Sequence, residues 1–261
     1  RLNSLDKYVD YFVIVESEFT HKGDRRDLKF NHKKFEKFKN KIIYLIYDKE
    51  PKNTEQVLSG DSEEEKSRKY ILNASLRENG QRNFIINGLK NAKKEDIILI
   101  SDVDEIPNLE NINNLKNHKF TVFKQKNFSY KFNLINKSLP NWFGSRVCKK
   151  KYLKSPQWFR DQKVKKYSIL KFFKIKWNIV DHGGWHFSYL MDAQNIQNKL
   201  KSFAHAEFNN EFYTNIETIK EAIDSKKDLF GRNQEYEKVN LDHFFPKYIL
   251  NNKNKYKDWI I

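Results

Sequence analysis

A short acidic segment has the clearest capacity for chemistry in this sequence. It reads Asp102-Val103-Asp104-Glu105, with two aspartates separated by one residue. Carboxylate oxygens are the ligands that Mg²⁺ and Mn²⁺ prefer, and a cation held by two carboxylates can bridge two phosphates of a ligand. We therefore predict that Asp102 and Asp104 bind Mn²⁺ or Mg²⁺, and that Asp102 and Val103 contact a phosphorylated ligand. A solvated acidic turn is the alternative.

The residues before the acidic segment favour the metal site over a solvated turn. Residues 96–101 read DIILIS, an apolar run typical of a buried central strand. In open α/β sheets, ligands bind outside the carboxyl ends of the strands, because the crossover connections leave a crevice there. The acidic segment follows the predicted strand directly and would occupy such an end.

Two more strands are predicted nearer the start of the chain. Residues 8–15 and 41–47 are rich in β-branched and aromatic side chains, and residues 32–39 between them suit a short amphipathic helix. The order strand, helix, strand indicates a parallel crossover unit. Residues 63–92 then suit a long helix, with a break at Asn79-Gly80.

A histidine in the second half of the chain is a candidate third metal ligand. His186 lies in GGWHF, residues 183–187, at the end of a predicted strand, where two glycines permit close approach of the backbone. An imidazole nitrogen there could complete the shell of the metal ion. A hydrogen-bonded core histidine is the alternative, and His205 is the second candidate.

The chain is strongly basic, with 50 Lys and Arg against 34 Asp and Glu and a formal net charge of +16. Only nine of these cations are arginine, so we interpret most of the excess as a solvated lysine surface. Residues 146–176 concentrate twelve cations and one acid among aromatic side chains. This segment is the best argument for another function, that of a non-catalytic module that binds glycan or nucleic acid. Anionic glycan or an anionic membrane surface would suit it better than nucleic acid, because no nucleic-acid motif accompanies it.

Cysteine content and hydropathy limit the class of protein further. The single cysteine, Cys148, excludes an internal disulfide framework and a Cys-rich zinc site. No apolar run approaches the ~18 residues that a bilayer span requires. We expect a cytoplasmic location, with peripheral membrane contact at most. The chain does not begin with Met, so we expect a fragment or a processed product.

Five short segments carry a family resemblance: DYFVIVESEFT (residues 10–20), Lys29-Phe30, SDVDEIP (101–107), WFGS (142–145) and GGWHFSY (183–189). In this order they resemble glycosyltransferase family 17. The resemblance implies a GT-A type fold, a UDP-GlcNAc donor, a glycan acceptor, a divalent metal ion and inversion at the anomeric carbon. It also implies an additional strand before Arg1, so we expect this chain to lack part of the nucleotide pocket.

Four residues outside the acidic segment are predicted to contact the donor. Glu16 and Ser17 end the first predicted strand, and a strand-terminating turn is the alternative. Arg77 and Arg82 lie on the long helix, and a guanidinium offers phosphate a planar pair of donors. Ion pairs on the helix surface are the alternative for both arginines.

Inversion by a single displacement requires a carboxylate that takes the proton of the acceptor hydroxyl. Glu207 and Glu105 are the candidates, one beside His205 and one in the acidic segment, and Asp181 is a third. Trp142 and Trp185 could stack on acceptor sugars, whose C–H faces suit aromatic rings. Ordinary core packing is the alternative for both.

We therefore predict one α/β domain over residues 1–261, with a GT-A-like, mostly parallel central sheet flanked by helices and a smaller antiparallel sheet on the acceptor side. Residues 1–118 would bind the UDP-sugar, and residues 119–261 would bind the glycan acceptor. The predicted function is an inverting, metal-dependent glycosyltransferase that moves GlcNAc to a glycan hydroxyl. A GT-A enzyme with another nucleotide-sugar donor is the alternative within this class.

Overall fold

A computed structural model describes residues 1–110, 112, 115–164, 175–201 and 211–261. This part of the chain forms two compact units, and each unit draws on both predicted halves of the sequence. The first unit contains Arg1–Val9, Asn91–Leu190 and Asn233–Ile261, and the second contains Asp10–Lys90 and Met191–Arg232.

The helices and strands of the described residues are, in chain order, α1 (Leu2–Leu5), β1 (Phe12–Ser17), β2 (Ile42–Tyr47), α2 (Glu63–Phe84), β3 (Ile97–Ile100), β4 (Glu105–Pro107), β5 (Phe120–Ser129), β6 (Leu134–Asn136), β7 (Asn141–Lys149), α3 (Pro156–Asp161), β8 (Asn178–Val180), β9 (Gly184–Ser188), α4 (Ala193–Lys201), α5 (Glu211–Thr214), α6 (Ile216–Asp224), β10 (Tyr236–Lys238) and α7 (Lys247–Leu250). Short 3₁₀ helices connect several of them. None of the helices in these ranges is long and apolar enough to cross a membrane.

The second unit contains the predicted parallel pair of strands. β1 and β2 pair in parallel, from Phe12 opposite Ile42 to Ser17 opposite Tyr47. The connection between them includes a 3₁₀ segment, His32–Phe38, where a regular helix was predicted. The parallel crossover is therefore confirmed, although its helical turn is tighter than expected.

The long helix α2 begins at a capping box, in which Ser62 and Glu65 bond each other's backbone amides. It runs through Gly80 without the predicted break and continues as 3₁₀ helix to Leu89. A Cβ atom at Gly80 would lie 2.9 Å from Cζ of Tyr47. The glycine thus permits close packing of the helix on β2, and it does not end the helix.

The sheet of the first unit is mixed, and the prediction of a mostly parallel sheet was wrong. In the described chain its order is β10-β6-β5-β7-β3, with β8 and β9 beside β5 and β4 beside β9. Among the described strands of this sheet, only the pairs β5–β8 and β5–β9 are parallel. β5 lies between β6 and β7 and is antiparallel to both. β3, predicted to be central, pairs with β7 at the end of this order.

An apolar cluster lies behind β4, β5 and β9 in the first unit. Its buried members are Ile106, Phe128, Phe132, Trp185, Phe187, Phe245 and Ile249. Each large apolar side chain contributes about 1.5–3 kcal/mol when it is fully buried. Because β4 and β9 pair from Glu105 opposite His186 to Pro107 opposite Gly184, this cluster fixes the strand that carries the acidic segment.

Candidate active site

The acidic turn, residues 102–105, joins β3 to β4 and divides its side chains between solvent and core. Val103 is 87% exposed, and Asp102 and Asp104 are partly exposed. Glu105 is fully buried, because it is the first residue of β4 and its side chain points into the unit. The turn therefore presents two carboxylates outward and holds the third inside.

The buried carboxylate of Glu105 is surrounded by hydrogen-bond donors. Its Oε1 accepts from Trp142 Nε1 at 2.8 Å and from Arg160 Nη2 at 2.9 Å. Its Oε2 accepts from four groups at 3.2–3.3 Å: the hydroxyls of Ser101 and Ser145, the amide of Asp102 and Nη1 of Arg160. With both oxygens occupied and no exposed surface, this arrangement favours a structural role over the proton-acceptor role predicted for Glu105.

Arg160 is the cationic partner of the acidic turn, and the sequence analysis did not single it out. Its Nη2 lies 2.7 Å from Oδ2 of Asp102 as well as 2.9 Å from Glu105. Its Nη1 donates to the carbonyl of Gly144 at 2.7 Å. Burial alone would lower the pKa of Arg160, but the carboxylates of Glu105 and Asp102 outweigh it and raise that pKa above its ordinary value.

Local sequence features place Arg160 at this position. α3 starts with Pro156 after Ser155, whose hydroxyl accepts from the amide of Trp158 at 3.1 Å. Phe159 is fully buried and anchors the helix in the core. The Ser-Pro start of a helix was therefore a readable signal, but nothing in the local sequence connects Arg160 with residues 58 positions away.

Asp104 and His186 form the second polar pair of the site. Oδ2 of Asp104 lies 3.5 Å from Nε2 of His186. Nδ1 of His186 lies 2.9 Å from Oδ1 of Asn127, whose amide nitrogen donates to the carbonyl of Leu139. The Asn127 oxygen therefore accepts from Nδ1–H, and in the neutral ring the lone pair of Nε2 faces Asp104.

The distance between Asp104 and His186 fits a shared divalent cation. A separation of 3.5 Å suits two ligands of one cation, since metal–ligand bonds to His and carboxylate are about 2.0–2.2 Å long. In the part of the chain that the structure describes, His, Cys, Asp and Glu side chains do not assemble in threes around a possible metal position. Mg²⁺ is usually held by one or two carboxylates plus water and substrate phosphates, so an incomplete protein shell still fits. That Asp102, Asp104 and His186 bind one metal ion stays a prediction.

The two predicted acceptor-binding tryptophans have different environments. Trp142 is 39% exposed, bonds Glu105, and stacks on the ring of His186 with centroids 4.6 Å apart. Trp185 is buried in the apolar cluster behind β4. This position matches ordinary core packing, the alternative to acceptor binding. Trp142 is thus the one of the two whose ring reaches solvent beside the acidic turn.

The motif around Trp142 is explained by packing against the same carboxylate. A Cβ atom at Gly144 would lie 2.8 Å from Cδ of Glu105. Ser145 is fully buried, and its hydroxyl bonds Glu105 and lies 2.7 Å from that of Ser101. The segment WFGS therefore supplies a ring, a close backbone approach and a hydroxyl to one buried group.

Glu16 and Ser17 lie in the second unit, where β1 ends. Glu16 accepts from the amides of Lys29 and Phe30 at 2.7 and 3.0 Å and from the hydroxyl of Tyr44 at 2.9 Å. Burial raises the pKa of Glu16, but these hydrogen bonds outweigh it and leave the pKa below its ordinary value. Ser17 is buried and its hydroxyl accepts from the amide of Phe19. Both residues organise the loop after β1, and a contact of either with a donor stays a prediction.

Arg77 and Arg82 also lie in the second unit and have protein partners. Arg77 pairs with Glu50 at 3.0 Å and donates to the carbonyl of His21 at 2.9 Å. Arg82 pairs with Glu78 one turn earlier on α2, at 2.7 Å. These contacts match the ion-pair alternative, and a role of either arginine toward a donor stays a prediction.

A cleft that the sequence analysis missed opens beside the end of β1. It has a volume of about 440 Å³ and is lined by Glu18, Arg25, Arg26, Asp27 and Leu28. Ligand pockets commonly measure about 300–1,000 Å³. Adjacent arginines on a loop after a strand were a possible signal, since arginine is scarce in this chain.

Several predicted features lie outside the described residues. Glu207 and His205 belong to residues 202–210, and part of the basic segment 146–176 lies in residues 165–174. Asp181 is exposed, and its hydrogen bond from Lys124 at 2.9 Å lowers its pKa. A carboxylate with a lowered pKa is a weaker proton acceptor.

In the described part of the basic segment 146–176, many cations have partners within the chain. Lys149 and Lys151 both pair with Glu95, at 2.8 and 2.6 Å. Lys151 also lies over the ring of Tyr152, and Lys154 lies 5.1 Å from the ring centre of Trp158. These rings already contact cations of the protein, so they are less available to stack on bases.

Comparison with known proteins identifies a family and several relatives. The sequence pattern of glycosyltransferase family 17 matches residues 1–258. Two curated relatives, from Rattus norvegicus and Homo sapiens, are both named beta-1,4-mannosyl-glycoprotein 4-beta-N-acetylglucosaminyltransferase. They are 25% identical to this chain over 295 and 294 residues, which is 98% of this chain and 51% of each relative. The chain thus spans about half the length of these relatives. No solved structure matches it.

Proposed function

Because the chain belongs to glycosyltransferase family 17, we propose that it transfers GlcNAc from UDP-GlcNAc to a hydroxyl of a glycan, with inversion and with the help of a divalent cation. The observation that carries this proposal is the placement of Asp104 3.5 Å from His186, beside Asp102 at the same strand end. A GT-A-like fold is part of the proposal. Relatives named for transfer to mannosyl glycoproteins support the substrate class.

Asp104 and His186 are the residues that would hold Mn²⁺ or Mg²⁺, with Asp102 beside them. When bound, the cation would neutralise charge on the UDP leaving group. Asn127 and the ring of Trp142 fix the His186 ring from two sides, at 2.9 Å and 4.6 Å. The imidazole is therefore oriented before any ligand arrives, as outer-shell partners orient metal ligands in general.

The partly exposed ring of Trp142 is the proposed platform for a sugar. Its indole nitrogen is fixed by Glu105 at 2.8 Å, and one side of its ring is covered by His186. Sugar C–H groups pack well on an aromatic face, and a ring that is already immobilised loses little entropy on binding. Trp142 would thus help to orient a sugar next to the acidic turn.

Glu207 is the proposed acceptor of the proton from the glycan hydroxyl. Glu105 is buried among six donors, and Asp181 has a lowered pKa. These contacts make Glu105 and Asp181 weaker candidates, so the proposal names Glu207, which is outside the described residues. The Glu207→Gln variant should lose turnover while it keeps donor binding.

The second candidate is a non-catalytic module that binds anionic glycan or an anionic membrane through residues 146–176. Its support is the density of cations in this segment. The ion pairs of Lys149 and Lys151 with Glu95 weaken it, since paired cations contribute less to the attraction of an external anion. The case for nucleic-acid binding is weaker still, because lysines already lie over the rings of Tyr152 and Trp158.

The experiment is a hydrolysis and transfer screen with several UDP-sugars in the presence of Mn²⁺, followed by a panel of glycan acceptors. UDP-GlcNAc should give the fastest release of UDP, and NMR coupling at the new anomeric centre should show a β linkage from the α-linked donor. A clear preference for another nucleotide sugar would refute the donor assignment. Release of UDP from no donor, together with tight glycan binding, would favour the binding module.

A further inference from the structure

The acidic turn is surrounded by as many guanidinium groups as it has carboxylates. Arg160 bonds both Asp102 and Glu105, and Arg1 donates to the carbonyls of Ser101 and Asp102. The charge of Arg1 also interacts with all three carboxylates of the turn. The turn therefore has little surplus negative charge with which to attract a free cation.

A third buried arginine adds to this balance. Burial lowers the pKa of Arg146 to about 10, which still leaves it charged at neutral pH, and its charge interacts with Glu105 and Asp102. Arg146 thus adds a third positive charge that acts on the turn, although its own hydrogen bond goes to the carbonyl of Phe159. A divalent cation that approaches the turn alone meets a formally neutral cluster, in a partly buried site where charges interact more strongly than in water.

The protein ligands available to a cation are also few. Asp104 and His186 lie 3.5 Å apart and can share one. Oδ2 of Asp102 is 2.7 Å from Arg160, so a cation can use this oxygen only if it displaces or tolerates the guanidinium. Mg²⁺ and ions like it need about six ligands, and a diphosphate can supply two of them together with the missing negative charge.

From these contacts we infer that the cation and the nucleoside diphosphate bind as one unit. Arg160 is the positioning residue that makes binding of the cation depend on binding of the diphosphate. Arg160 holds Asp102 as an internal counter-ion and so keeps the turn from binding a free divalent cation. The inference rests on the proposed function, because it assumes a diphosphate ligand. It assigns to Arg160 a role in the order of ligand binding, apart from any role in turnover.

The test measures Mn²⁺ bound per chain by equilibrium dialysis with EPR detection, without UDP and with saturating UDP. For the wild type, the apparent Kd for Mn²⁺ should be at least tenfold weaker without UDP. In Arg160→Gln the carboxylate of Asp102 is released, and Mn²⁺ alone should bind about tenfold more tightly than in the wild type, the range expected for loss of a charged hydrogen bond. UDP should then change the affinity much less.

A second variant guards against misfolding of the first, because Arg160→Gln leaves Glu105 charged and buried. The double variant Glu105→Gln with Arg160→Gln removes both members of that pair and should show the same gain in Mn²⁺ binding. The matched control is Asp61→Asn with Lys69→Gln, which removes a pair of similar burial, 2.7 Å apart, in the second unit. It should leave Mn²⁺ binding unchanged.

Two results would overturn the inference while the proposed function stands. One is wild-type protein that binds Mn²⁺ equally well with and without UDP. The other is UDP-dependent binding in the wild type that neither Arg160 variant changes. If UDP does not bind the wild type even with Mn²⁺, the proposed function fails and the inference fails with it.

Discussion

Replacement of Arg160 by Gln should destabilise the first unit strongly. The substitution removes two of the six donors to Glu105, and both of them carry the charge that balances a fully buried carboxylate. Breaking a buried ion pair from one side costs about 3–5 kcal/mol, because the remaining charge stays desolvated without its partner. We expect this loss for Arg160→Gln.

The double variant Glu105→Gln with Arg160→Gln provides the comparison. With both charges removed, the buried amide keeps Trp142 and the two serines as hydrogen-bond partners, and the expected loss is about 1–2 kcal/mol. The double variant should therefore be more stable than Arg160→Gln alone, by about 2–3 kcal/mol, so the effects of the two substitutions are not additive. Lys124→Gln, which breaks the exposed pair with Asp181, should lower stability far less than Arg160→Gln, because solvent screens exposed charges.

Urea unfolding followed by tryptophan fluorescence measures this directly. The chain has five tryptophans, at positions 142, 158, 177, 185 and 259, and all belong to the first unit. With a slope of about 2 kcal/mol/M, a loss of 4 kcal/mol should lower the unfolding midpoint by about 2 M. A loss below about 1 kcal/mol for Arg160→Gln would refute the reasoning, and so would a double variant less stable than the single one.

Three further substitutions test other contacts. Gly184→Ala should cost about 2 kcal/mol or more in a thermal unfolding assay, because φ is +119° and a Cβ atom would lie 2.9 Å from Cα of Pro107; an unchanged melting temperature would contradict this. Trp142→Phe should keep the stack on His186 but lose the bond to Glu105, at about 1.5–3 kcal/mol in urea unfolding, and a loss equal to that of Trp142→Ala would contradict it. The lowered pKa of Glu16 means that its ionised form stabilises the fold above its unfolded pKa and that this stability is lost as pH falls through the lower folded pKa. The protection factors for hydrogen exchange of the amides in the loop after β1 should therefore fall in acid in the wild type and be less pH-dependent in Glu16→Gln.

Helices and strands whose residues form a clear local pattern were predictable from the sequence. β1 and β2 are dense runs of β-branched and aromatic residues, and their parallel pairing was predicted from the order strand, helix, strand. α2 has a capping box at its start, and only the reading of Gly80 as a break was wrong. A glycine marks either a break or a close approach, and the choice between them depends on the facing residue, Tyr47.

The order and relative direction of the strands in the larger sheet were not predictable in the same way. The DIILIS run suggested a central strand, but β3 alternates between buried and half-buried side chains and pairs only with β7 among the described strands. The parallel order of β1 and β2 was extended to a sheet in which most described pairs are antiparallel, among them β3–β7 and β4–β9, whose strands are distant in sequence. Apolar composition indicates burial, whereas neighbours and direction depend on contacts distant in sequence.

The candidate site was predictable where its residues are adjacent and not where they are distant. The acidic turn and His186 were found from short motifs, and the structure pairs them in register through β4 and β9. Arg160 was missed because its partners lie 55 and 58 positions away. The inward position of Glu105 follows from the start of β4 at that residue, which a run of acidic letters does not reveal.

The central claim is that Asp104 and its neighbours bind a cation that holds the diphosphate of a UDP-sugar. Calorimetric titration of UDP into the protein, with and without Mn²⁺, tests it most directly, with Glu95→Gln as a control in the same unit. UDP should bind only with Mn²⁺, Asp104→Ala should abolish this binding, and Glu95→Gln should leave it intact. UDP binding that is indifferent to Mn²⁺, or that survives in Asp104→Ala, would contradict the claim.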